Sequence, residues 1–73
     1  MTKDFCYVIA VARMKNGRGI LRFRTSNGEV ANAYDSSVVT YTDIESARLS
    51  ITAANQCIVR RASTGGVVYE PAS

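Results

Sequence analysis

The chain has 73 residues, 47% of them hydrophobic and 21% charged, with a net charge of +3. That is the composition of an ordinary globular domain; disordered chains have fewer apolar residues and a larger net charge. At this size a chain buries only about 60% of the surface that its unfolded form exposes, so the core is thin and leaves little room for a closed substrate cavity.

From the first residues, Met1-Thr2-Lys3-Asp4, no signal peptide is expected. The apolar run Phe5–Ala12 ends at Arg13 without a small-residue cleavage site, and no run approaches the roughly 20 apolar residues of a membrane span. Phe5–Arg13 is apolar at both parities, Phe5, Tyr7, Ile9 and Val11 against Cys6, Val8, Ala10 and Ala12. A strand of that kind is central in its sheet and at least partly covered on both sides. The small even-numbered residues suit either a closely packed helix or a face that a partner covers. Lys15-Asn16-Gly17-Arg18-Gly19 reads as a turn.

Ile20–Thr25 alternates, with Leu21 and Phe23 on one side and Arg22 and Arg24 on the other. Asn27-Gly28 between strand-like runs is a strong hairpin signal, and Val30–Tyr34 is the expected returning strand. Val38–Tyr41 reads as a short edge strand or an extended connection. Thr42-Asp43-Ile44-Glu45 fits a capping box. It opens a helix in which Ile44, Ala47, Ile51 and Ala54 share a face, and Asn55 is its expected stop. Leu49 lies off that stripe, as part of a wider apolar face or as an exposed contact. Cys57–Ala62, the turn Ser63-Thr64-Gly65-Gly66 and Val67–Tyr69 form a last hairpin, and Pro71 ends the ordered chain. The expected fold is one α+β domain over residues 1–73. Its antiparallel sheet has four to five strands with one helix packed on one face, in the order β-β-β-(β)-α-β-β.

Cys6 and Cys57 both sit in apolar runs. They read as buried free thiols in a reducing, cytoplasmic setting, with a disulfide between neighbouring strands as the alternative. The chain has no histidine. With no histidine and only two cysteines, in separate strands, no zinc ligand set can be assembled. Serine–histidine and cysteine–histidine pairs cannot form, and the scattered carboxylates make no EF-hand loop. Asn16-Gly17-Arg18-Gly19 lacks the lysine and hydroxyl of a phosphate loop. The expectation is a binding protein with no catalytic residue, no metal and no cofactor, monomeric when alone.

Positive charge singles out one surface. Arg13, Lys15, Arg18, Arg22 and Arg24 fall within a stretch that contains no acid, and Arg60 and Arg61 add charge on the later hairpin. Arginine forks suit carboxylates and phosphates, so these residues are the candidate partner-binding set. Reversing Arg22 and Arg24 to glutamate is expected to weaken that binding and to leave the thermal melt nearly unchanged. No RNA-recognition signature or helix-turn-helix is present. Phe23 alternates inward while Arg22 and Arg24 point outward, and the tyrosines are scattered, so the exposed stacking aromatics of single-strand binders are not expected among the basic residues.

In length, layout and charge the chain resembles the small host-takeover proteins of bacteriophages, in particular the transcription regulators that bind bacterial RNA polymerase. The resemblance implies a regulator in the host cytoplasm. It would dock on one polymerase subunit, block initiation or promote antitermination, and make a secondary contact with RNA or DNA. Two alternatives share the layout. One is an anti-CRISPR inhibitor of a Cas protein, against which the positive charge counts, and the other is a small sheet-based DNA- or RNA-binding domain.

Overall fold

A computed structural model describes residues 5–62 and the backbone of 67–70. The strands are β1 (Phe5–Lys15), β2 (Arg18–Arg24), β3 (Glu29–Val30), β4 (Gln56–Ala62) and β5 (Val67–Glu70), and the helix is α1 (Ile44–Leu49). Every strand pairing is antiparallel, in the spatial order β3-β2-β1-β4-β5. The long central strand is β1, as its two-sided apolar run requires. Val8, Ile9, Ala10 and Val11 are all buried, and each side of the strand belongs to a different cluster.

The even residues Val8 and Ala10 pack with Phe23, Val59, Ala33 and Val38. The odd residue Ile9 packs with Ile58 of β4 and Ala47 of α1, with Tyr7, Tyr41, Ile44 and Ile51 around them. Thus Ala47 and Ile44 of α1 belong to the cluster that holds the odd residue Ile9. The small even residues accommodate the 31–38 connection, which lays Ala33 and Val38 over them.

Asn16 (φ 53°) and Gly17 (φ 77°) both have positive φ, which makes the β1–β2 connection a two-residue type I′ turn whose twist matches the flanking strands. The register closes on Lys15 opposite Arg18.

The expected strand Val30–Tyr34 is not formed. β3 ends at Val30, because the side chains that follow give the backbone other partners. Asn32 Oδ1 accepts from the Tyr34 amide at 2.9 Å and Asp35 Oδ1 from the Ser37 amide at 2.9 Å. Val38–Tyr41 is an extended connection bridged at both ends, Thr25 to Val38 and Tyr7 to Tyr41.

The helix also departs from expectation. Its N-cap is Asp43 and not Thr42; the Asp43 carboxylate accepts from the Ser46 amide at 2.8 Å. It ends at Leu49, where the Ser50 amide turns back to the Ala47 carbonyl, so the expected continuation to Asn55 is absent. Ile51 still joins the Ile9 cluster from beyond the helix end. Leu49 is 86% exposed, so it is not part of the apolar face that packs on the sheet.

Cys6 and Cys57 are free thiols, both half-buried. On adjacent strands Cys6 faces Arg61 and Cys57 faces Ala10, so the register keeps them apart. Burial pushes the Cys57 thiol pKa up, away from thiolate reactivity. The expected turn at 63–66, the chain start at 1–4 and Pro71 lie outside the described residues.

Candidate interaction surface

The basic residues that lie together in sequence divide into two groups in space. Cross-strand partners share a sheet face, so Arg22, opposite Val11, is on the side of Ile9, the residue with which α1 packs. Arg24 is two residues further along on the same side. Both alternate away from Phe23 as the sequence predicts, but the side they reach is occupied. Arg24 Nη1 donates to the Ser50 carbonyl at the helix end, 2.6 Å away, and Arg22 Nη2 donates to the Glu29 carbonyl at 3.2 Å. Both side chains are half-buried. The expectation that reversing them leaves the fold unaffected is therefore corrected, since a glutamate at either site would face a backbone carbonyl.

Arg13 is exposed and forms a two-pronged ion pair with Glu29. The hydrogen bond from Arg13 holds the Glu29 carboxyl below its ordinary pKa and raises that of the guanidinium. Arg60 lies over the Phe5 ring, 4.7 Å from its centroid. Arg61 lies 5.2 Å from the Tyr34 ring centroid and donates to the Ala33 carbonyl at 2.9 Å. The phenol of Tyr34 in turn donates to the Ala62 carbonyl at 2.6 Å. Arg61 and Tyr34 thus lash the 31–38 connection to β4.

Lys15 and Arg18 differ from these. They stand opposite each other at the tip of the β1–β2 hairpin, and every residue from Ala12 to Gly19 is exposed. Among the described residues no acid pairs with either. Like charges directly across a strand pair are destabilising, so the tip is a place where an incoming anion relieves repulsion.

The opposite face of the same hairpin end is apolar, with Ala12 across from Leu21 and Met14 across from Gly19. Met14 is 72% exposed. Ala12, Arg13, Met14, Gly19, Ile20 and Leu21 line a shallow groove of about 290 Å³. Charge points to the basic residues of this hairpin and says nothing of Met14 or of the groove beside it. The alternation of Ala12 and Met14 against Arg13 and Lys15 was available to find them.

Among the described residues there is no group of three or more histidine, cysteine or carboxylate side chains that could hold a metal. Among the described residues no helix is long and apolar enough to cross a membrane. No family model matches the chain, and neither a curated protein nor a solved structure is significantly similar to it.

Proposed function

We propose that this chain is a non-enzymatic binding protein that docks the outer end of its β1–β2 hairpin on another protein. A subunit of bacterial RNA polymerase is the partner that its resemblance to phage transcription regulators implies. The observation behind this is the hairpin end itself. A flexible, polarisable Met14 stands exposed at its centre, an apolar groove lies beside it, and Lys15 and Arg18 are on the opposite face. Methionine adapts to irregular partner surfaces, and the two cations favour an acidic rim and speed encounter. In this reading the helix covers one face of the sheet, β3 serves as its fifth strand, and the resulting small rigid body projects the hairpin into an interface of roughly 800 Å² per partner. The mechanism is occlusion: a domain seated on a polymerase subunit excludes whatever else uses that site.

The test is capture of purified bacterial RNA polymerase by the tagged chain after nuclease treatment, in about 300 mM salt, where the Debye length is below about 8 Å. Polymerase is expected to be retained. The triple variant Met14→Ser, Lys15→Glu, Arg18→Glu is expected to bind at least tenfold more weakly, about 1.4 kcal/mol, with an unchanged thermal melt. Equal retention of the variant removes the hairpin from the mechanism. Failure of the wild-type chain to bind polymerase, together with nucleic-acid binding that falls steeply with salt, replaces the proposal with the nucleic-acid alternative.

A further inference from the structure

The early end of β3 leaves part of the sheet unpaired. β3 covers β2 only at Phe23 and Arg24, opposite Val30 and Glu29. The chain then turns away at Ala31, so among the described residues no strand lies along the outer edge of Arg18–Arg22. The hairpin register determines which backbone groups that edge presents. In a two-residue type I′ hairpin the residues flanking the turn, Lys15 and Arg18, exchange both their hydrogen bonds. Arg18, Ile20 and Arg22 therefore direct their amides and carbonyls at β1, and Gly19 and Leu21 direct theirs outward. The Thr25 amide, in phase with these two, bonds outward to the Gly28 carbonyl at 2.8 Å, which agrees with this phase.

We infer that this open edge of β2 receives an extended segment of the partner protein as an added strand, and that the segment alternates acidic with apolar residues. The inference rests on the docking reading above and specifies what docks. Main-chain pairing with Gly19 and Leu21 supplies affinity that any extended peptide could gain, and the two faces supply selectivity. On one face the segment meets Arg18, whose cross-strand neighbour Lys15 repels it, so a carboxylate there is favoured. On the other face Gly19 presents no side chain, and the space above it is open, with no atom within 4 Å of a Cβ built there. An apolar side chain seated over Gly19 lies between Met14 and Leu21 and fills the groove.

Charge argues against a second copy of this chain as the occupant. Two β2 edges paired antiparallel about Ile20 place Arg18 of each chain opposite Arg22 of the other, like charges on one face at both ends of the seam. A nucleic acid has no amide ladder to offer the edge, and residues 12–21 include no aromatic on which a base could stack.

The experiment titrates the isotope-labelled full chain with a synthetic peptide alternating glutamate and valine, and with a counterpart alternating lysine and valine. The glutamate peptide is expected to bind, to shift the Gly19 and Leu21 amides and to slow their hydrogen exchange, whereas the lysine peptide leaves them unchanged. Gly19→Pro removes the outward amide without breaking a bond to β1, and proline is tolerated at such an edge position. It is expected to leave the melt intact and to weaken glutamate-peptide binding at least tenfold. Binding without protection of Gly19 and Leu21 in the wild-type chain overturns the inference, as does equal binding of both peptides or of Gly19→Pro. A concentration-dependent dimer that protects the same amides assigns the edge to a second copy and overturns it too. Polymerase capture separates the two proposals. If Gly19→Pro retains polymerase while the Met14/Lys15/Arg18 variant loses it, edge pairing fails and hairpin docking stands; if both variants retain polymerase, docking fails as well.

Discussion

Arg24 Nη1 meets the Ser50 carbonyl at 2.6 Å, and Ser50 is the C-cap of α1. A cation at a helix C-terminus satisfies an orphan carbonyl and complements the dipole, and a hydrogen bond from a charged donor contributes about 1.5–3 kcal/mol. Arg24→Ala is accordingly expected to lower stability by about 1–2 kcal/mol in urea unfolding, with Arg24→Lys losing less. Arg18→Ala, at the exposed tip, is expected to change it by less than about 0.5 kcal/mol. Equal effects of Arg24→Ala and Arg18→Ala would mean that the Ser50 contact adds nothing. The sequence pattern around Arg22 and Arg24 was legible as far as alternation goes. It could not say that the side opposite Phe23 would hold a helix end, because Ser50 lies 26 residues beyond Arg24. The Glu29 carbonyl is only seven residues from Arg22, but alternation does not report which backbone groups a side chain meets. Lys15 and Arg18 remained outward-facing for a local reason: the turn they flank takes them past every other element.

At the scale of elements, α1 has only six residues, too few to form alone in water, where nucleation is costly. It exists because its ends are fixed and Ala47 is buried against Ile9 and Ile58. The Asp43 carboxylate binds both the Ser46 amide and the Ser46 hydroxyl. Asp43→Ala is expected to cost about 1 kcal/mol, and Asp43→Asn a few tenths, since asparagine caps equally well. The check is the pair of thermal melts followed by circular dichroism; indistinguishable melts for Ala and Asn would rule the cap out as a stabilising contact. Thr42 and Asp43 are both good cap residues, and sequence alone favoured Thr42 because Glu45 completes a box with it. In the fold Glu45 pairs with Arg48 at 2.6 Å instead. The apolar spacing of Ile44, Ala47 and Ile51 was legible as one face. That Ile51 reaches the same cluster from outside the helix was not, because spacing reports which side chains converge and leaves open the backbone between them. The strands divide in the same way. β1 and β2 were readable from two-sided and one-sided apolar patterns, whereas β3 was overestimated because Asn32 and Asp35 redirect the backbone through their own side chains.

For the whole molecule, the balance of charge sets a pH dependence. Among the described residues, Glu29 is held below its ordinary pKa by the hydrogen bond from Arg13 and Asp35 by the Ser37 hydroxyl and amide. A carboxyl whose folded pKa is depressed binds fewer protons in the folded state than in the unfolded one. Its contribution to stability is therefore complete above the unfolded value, near pH 4, and is lost as pH falls through the lower folded value. Both groups are at the surface, so each contribution is small and salt-sensitive. A global term acts in the same direction, because protonating all six carboxylates leaves nine lysines and arginines unopposed, and self-repulsion then favours expansion. The melting temperature is expected to be nearly flat from pH 8 to about pH 5 and to fall progressively below about pH 4. Glu29→Gln should lower the neutral-pH plateau slightly and make the acid decline shallower, since the variant has one fewer carboxyl to protonate. Added salt should recover part of the acid loss by screening. A melting temperature that rises below pH 4 would show that these carboxylates are paired more favourably in the unfolded chain than with Arg13 and Ser37 in the fold.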